Sequence, residues 1–214
     1  MKTGILFDLD GTLLYTLEDL LDATNYALAA YGHPPRTLQE LRRFVGNGAA
    51  NQIRLALPDD KKEDLDKVLA VYKPYYTDHC QVKTRPYAGV LPALEYLTKK
   101  YPVAIVSNKP DAAVKSLCAE YFPGIYALGE TADCPRKPAP DMVFRAMEAI
   151  GADRCIYVGD SEVDVQTARN AQVPCVCVLW GFRDREDMEA AGGSVFCEKT
   201  EELVKIIEET IHGQ

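Results

Sequence analysis

Long apolar runs are missing from this chain of 214 residues. No stretch approaches the ~18 residues of a membrane-spanning helix. The short apolar segment after Met1-Lys2 is broken at Asp8, so neither a span nor a cleaved leader is expected. Basic residues are in deficit: 24 Lys and Arg against 32 Asp and Glu give a formal net charge of −8. Such a field repels nucleic acid and anionic membrane, and neither is expected as a partner. An anionic small molecule must then be met by a local positive site. Histidine is scarce: His33 precedes two prolines, His79 ends a helical stretch and His212 lies near Gln214, so none is given a catalytic role. The seven cysteines are odd in number, and no two have the C-x-x-C spacing of a zinc ribbon or redox motif. Cys175 and Cys177 alternate with valines and have no histidine nearby, which makes metal binding the weaker reading. Small buried hydrophobes in a reducing, cytoplasmic setting are expected instead. The one tryptophan, Trp180, flanks Gly181 with Phe182 and reads as packing.

What is present is an apolar fraction of 47%, enough for one core and a modest insertion. Gly4–Phe7 is continuously apolar and stops at Asp8-Leu9-Asp10-Gly11-Thr12, which predicts a strand buried on both faces. The pattern then turns helical. Leu17, Leu20, Leu21, Thr24, Ala27 and Ala30 recur at helical spacing, and Gly32-His33-Pro34-Pro35 stops that helix. Thr37 with Glu40 predicts a capping box. Gly46-Asn47-Gly48 interrupts, a helix runs through Ile53 to Pro58, and another from Asp60 to about Cys80. No strand signal lies between Tyr15 and Lys83, so residues 15–86 are expected to form a helical cap.

Residues 1–14 and 87–214 are expected to form the core. Apolar strand runs at Val103–Val106, Ile125–Leu128, Cys155–Val158 and Cys175–Leu179 alternate with helical stretches at Gly89–Lys100, Asp111–Tyr121, Asp141–Ile150, Glu162–Ala171 and Glu201–His212. Such alternation predicts an α/β fold, a doubly wound parallel sheet of Rossmann-like type with right-handed connections. Ligands then bind beyond the carboxyl ends of the strands. Asp8 and Asp10 follow the first run, Ser107, Asn108 and Lys109 the second, and Asp160, Ser161 and Asp164 a third. Asp8 and Asp10 point the same way if the backbone stays extended. Carboxylates so crowded repel one another, and a hard divalent cation such as Mg²⁺ relieves the repulsion. Asp164, four residues after Asp160, is placed to ligate directly or through a neighbour, and Ser161 to cap a helix.

Asp8-Leu9-Asp10-Gly11-Thr12-Leu13 resembles the first motif of the haloacid-dehalogenase-like phosphohydrolases. Ser107 is similar to the second motif, Lys137 to the third, and Gly159-Asp160-Ser161-Glu162-Val163-Asp164 to the fourth. The four stand in the family's order, with the cap inserted after the first, and the resemblance covers the whole chain. Any one of them has a plain alternative: Asp-Gly is a turn pair, Ser107-Asn108 a loop start, Lys137 a solvated lysine, Asp160-Ser161 a helix start. Within the family, Phe44–Ala49 resembles the cap of the phosphoglycolate phosphatases.

The resemblance implies catalytic roles for Asp8, Asp10, Ser107 and Lys137. Asp8 would be the nucleophile, forming an aspartyl-phosphate, and Asp10 the acid and base that serves the leaving group and the water. Mg²⁺ would be held by Asp8, the Asp10 backbone carbonyl and Asp160, with Asp164 ligating directly or through a neighbour, and Lys137 would add a fixed cation. Ser107 and the Asn108 backbone N–H would bind phosphoryl oxygens. Gly11 would permit close approach at the turn, and Thr12 would orient Asp10. Gly46, Asn47 and Gly48, preceded by Arg42 and Arg43, either face a substrate carboxylate or form a Gly-rich turn with solvated arginines. Tyr15 departs from the family, in which that position is often acidic, and lies at the hinge into the cap.

The expected function is a Mg²⁺-dependent phosphatase for a small phosphorylated metabolite, with 2-phosphoglycolate, nucleotides or pyrophosphate as candidates. A phosphosugar mutase of the same fold is an alternative. A non-catalytic binding module would have lost a key carboxylate or lysine, and none is missing. A monomer or homodimer is expected.

Overall fold

The computed structural model describes residues 1–213. The chain begins with β1 (Thr3–Phe7) and β2 (Leu14–Tyr15). Four helices follow: α1 (Leu17–Ala29), α2 (Leu38–Phe44), α3 (Gly48–Ala56) and α4 (Leu65–His79). Next come β3 (Arg85–Pro86), α5 (Val90–Thr98), β4 (Val103–Pro110), α6 (Asp111–Tyr121) and β5 (Tyr126–Glu130). The remainder is α7 (Asp141–Ile150), β6 (Arg154–Gly159), α8 (Glu162–Asn170), β7 (Cys175–Val178), α9 (Arg185–Ala190), β8 (Val195–Cys197) and α10 (Leu203–His212).

The main sheet is six-stranded and parallel, in the order β5-β4-β1-β6-β7-β8. Burial on both faces explains the unbroken apolar runs. On β1, Ile5 and Phe7 face a layer that includes Val90 and Leu94 of α5, Leu117 of α6 and Ile207 of α10. Leu6 faces the other way, with Tyr157, onto Met142, Val143 and Ala146 of α7. The chain builds outward from β1 through β4 to β5, then returns to β6 on the other side of β1. This reversal opens the crevice at the carboxyl end of β1 where α/β proteins bind ligands. Register sets what lines it: Phe7 lies opposite both Ile105 and Val158, so Asp8, Ser107 and Asp160 emerge at one rim.

α1 to α4 leave the core through β2 and return through β3, which pair antiparallel as Leu14 with Pro86 and Tyr15 with Arg85. This two-residue ribbon is too short to be read from sequence. Tyr15 packs edge-on against Tyr87 at 6.0 Å and Phe182 at 6.4 Å, so an aromatic cluster stands at the hinge. Asp19 of α1, buried, accepts the Lys83 and Thr84 N–H groups and ties the returning chain to the outgoing helix.

Several expectations are realised and several are corrected. The Thr37–Glu40 capping box forms. The last cap helix begins at Leu65 rather than Asp60, because Asp59–Asp64 is a 3₁₀ segment with Lys61 outside helical geometry. β4 runs beyond Val106 through Ser107, Asn108 and Lys109, with a register shift against β5 between Val106 and Pro110. That irregularity re-aims the polar residues at the strand's end. β8 and α9 carry no sequence signal long enough to predict them. All seven cysteines are free, and all but the half-buried Cys175 are buried. No described helix is long and apolar enough to cross a membrane.

Candidate active site

Lys137, on the loop before α7, is buried at the centre of the crevice. Its Nζ lies 2.6 Å from Asp8 Oδ1 and 2.8 Å from Asp164 Oδ1, and donates to the Tyr157 hydroxyl at 3.0 Å. Burial opposes the ammonium charge, but Asp164 and Asp8 outweigh it and hold Lys137 above the ordinary lysine range. Asn108 fixes the loop that carries it: Oδ1 accepts the Lys137 N–H at 2.8 Å, and Nδ2 donates to the Lys137 carbonyl at 2.9 Å.

The carboxylates crowd this lysine. Burial pushes Asp8 well above the usual carboxylate range, and Asp164, Asp160 and Asp10 push it further against the pull of Lys137. Burial, and then Asp164, raises Asp160 to about 7, although Phe182 N–H, Arg183 and Thr12 work the other way. Asp8, Asp160 and Asp164 offer oxygens within 4.8 Å of one another. Three carboxylates thus face one ammonium, a surplus of negative charge that a divalent cation cancels. The donors are all hard oxygens, which suits Mg²⁺.

The three are not equivalent. Asp164 Oδ1 is taken by Lys137 and Tyr157, and its Oδ2 by the Ser161 N–H at 3.1 Å and the Ser161 hydroxyl at 2.6 Å. Asp164 therefore orients its neighbours, while Asp8 and Asp160 have capacity left for a cation. Asp160 is set by Thr12 Oγ1 at 3.1 Å and by the Phe182 N–H at 2.7 Å. Gly11 sits against it at φ +89°, and a Cβ there would meet Asp160 Oδ2 at 2.2 Å, so the turn requires glycine.

Thr12 was expected to orient Asp10, and it does not: its hydroxyl serves Asp160. Asp10 Oδ1 instead accepts from Thr16 Oγ1 at 2.6 Å and lies 3.0 Å from Lys109 Nζ. The Asp10 carboxylate stands outside the three-carboxylate group. Lys109 is buried and its Nζ reaches the hydroxyl of Tyr76 on α4, 4.4 Å from that ring's centre. Sequence reasoning left Lys109, Thr16 and Tyr76 without roles. Lys109 stood in view after Ser107-Asn108, but its partners come from the inserted helices and leave no local pattern.

Asp8, Asp10, Ser107, Asn108, Lys137 and Asp160 line one cavity with Gly46, Gly48, Gln52, Tyr72 and Tyr76 of the inserted segment. Its free space is about 40 Å³, room for roughly three waters at ~10–15 Å³ each. Arg43 is exposed and Asn47 is half-buried, and neither lines the cavity. Arg42 pairs with Asp184 at 3.1 Å. The ammonium groups that line the cavity are those of Lys109 and Lys137 rather than the predicted arginines, and Arg183 at its edge is spent on Glu162 and on backbone carbonyls.

Residues 5–178 match the family model described as haloacid dehalogenase-like hydrolase. The chain belongs to that family. It is similar, at 34% identity over 98% of this chain and 96% of the relative, to a phosphoglycolate phosphatase of Mesorhizobium japonicum. A phosphoglycolate phosphatase of Rhodobacter capsulatus is 34% identical over 86% of this chain and 87% of its own length. A crystal structure from Lactobacillus delbrueckii subsp. bulgaricus, provisionally named a phosphoglycolate phosphatase, has a TM-score of 0.88 and 38% identity, covering 96% and 98% of the two chains. As a member of this hydrolase family the chain is an enzyme of the phosphatase kind.

Proposed function

We propose that the chain is a Mg²⁺-dependent phosphomonoesterase that works through an aspartyl-phosphate on Asp8, with 2-phosphoglycolate as its substrate. The supporting observation is the arrangement around Lys137, which holds one oxygen of Asp8 while the other takes no protein donor among the described residues. The free oxygen attacks phosphorus as the ester P–O bond breaks. Asp8 and Asp160 would hold Mg²⁺, which would supply charge neutralisation on the transferring group. The Ser107 hydroxyl binds a phosphoryl oxygen, and Lys137 places its fixed positive charge beside the group. Asp10, fixed by Thr16 and Lys109, gives a proton to the leaving alkoxide and takes one from the water that hydrolyses the acyl phosphate. The kinship with named phosphoglycolate phosphatases favours a compact leaving group.

Phosphate release from a panel of purified phosphometabolites, with and without Mg²⁺, tests this. The expected result is metal-dependent turnover, fastest on 2-phosphoglycolate, that Asp8→Asn lowers by about 10³-fold or more. Faster turnover of nucleotides, sugar phosphates or pyrophosphate refutes the substrate assignment. Activity that survives Asp8→Asn refutes the mechanism.

A further inference from the structure

Arg183 lies outside all four motifs, on the loop after β7, and its side chain is 11% exposed. Nε donates to Glu162 Oε2 at 2.9 Å and Nη1 to the Arg42 carbonyl at 2.7 Å. Nη2 donates to the carbonyls of Val45 at 2.6 Å and Arg43 at 3.4 Å. Those carbonyls belong to the C-terminal end of α2, where helix geometry leaves acceptors unpaired and the dipole favours a cation. A core arginine thus finishes a helix of the inserted segment. The next residue back, Phe182, donates its N–H to Asp160. One short loop therefore grips both the metal-site carboxylate and the segment that carries Gly46 and Gly48 into the cavity.

We propose that Arg183 is a positioning residue that latches the inserted helices closed, setting Gly46 and Gly48 over Asp8 without touching substrate. The other side-chain links at this loop are weaker candidates. The Arg42–Asp184 pair is substantially exposed and contributes little, and Asn108 makes a single bond to the Gly46 carbonyl at 3.0 Å. Without the Arg183 fork the closed fraction falls. KM then rises by the inverse of that fraction, while the saturated, closed complex keeps its turnover.

Two measurements on Arg183→Ala and Arg183→Lys test the latch. Only the kinetic one rests on the phosphatase function proposed above. By amide hydrogen exchange, residues 45–49 are expected to exchange faster in both variants while β1 and β6 amides stay unchanged. With 2-phosphoglycolate and Mg²⁺, KM rises ~10-fold and kcat stays within ~3-fold. Guanidinium added to Arg183→Ala lowers KM again, which a merely structural loss does not allow. Unchanged exchange at residues 45–49 overturns the latch whether or not the wild type hydrolyses anything. A fall in kcat at constant KM, with no response to guanidinium, overturns it as well. A wild type without phosphatase turnover refutes the proposed function, and exchange alone then decides the latch. Should Arg183→Ala not fold, Arg183→Lys, which cannot span the same acceptors, decides both measurements.

Discussion

Asp160 holds its proton up to about 7 in the metal-free chain because it is buried beside Asp164. An unfolded aspartate releases its proton near ~3.9. Between those values the folded state binds the extra proton, so stability from this group is full at low pH and is lost as pH rises through about 7. Mg²⁺ binds the deprotonated carboxylates, so its stabilising effect grows over the same window. Thermal unfolding with and without Mg²⁺ checks the sign: the metal raises Tm more at about pH 8 than at about pH 5. An equal shift at both counts against Asp160 as a ligand. Asp8, Ser107 and Asp160 were legible in the sequence because each follows an apolar run whose strand ends at the same rim. Lys137 was legible only by resemblance, since no strand precedes it. Thr16 and Lys109 were not legible, because their partnership with Asp10 depends on how the chain turns into α1 and on where α4 folds back. The local Asp10-Gly11-Thr12 sequence gave the nearer threonine, and the fold used the farther one.

At the scale of elements, the joint between core and insertion is built from short pieces with exact partners. Asp19 accepts three close contacts from the Lys83 and Thr84 N–H groups, at 2.8 to 3.0 Å. Asp19→Ala leaves the buried Thr84 N–H and the part-buried Lys83 N–H without their partner and is expected to cost about 1–3 kcal/mol. Urea unfolding measures it, and a change within experimental error contradicts this role for the carboxylate. Tyr15 joins Tyr87 and Phe182 and gives the hinge an aromatic packing surface. Long, periodic elements were legible: the five strand runs of the core and the helices between them follow the burial pattern on the two faces of the sheet. β2, β3 and β8 were not, since two or three residues show no periodicity and owe their pairing to distant chain. The 3₁₀ segment Asp59–Asp64 escaped notice because its charged residues look like a helix's first turn.

Across the whole molecule, a net charge of −8 contrasts with a cavity that presents Lys109 and Lys137. Part of the acidic excess is the compact group Asp8, Asp160 and Asp164, and a divalent cation held there would reverse the sign where a phosphate dianion would sit. The inserted helices line this site with Gly48, Gln52, Tyr72 and Tyr76, and in the proposed reaction they would limit the water that reaches an acyl phosphate. The covalent intermediate is the step on which all of this converges. The most direct measurement is acid quenching of the enzyme during turnover of 2-phosphoglycolate with Mg²⁺, followed by peptide mass mapping. Phosphate on the peptide that contains Asp8, absent in Asp8→Asn, is the predicted result. Rapid phosphate release with no phosphorylated Asp8 peptide at any quench time would contradict it.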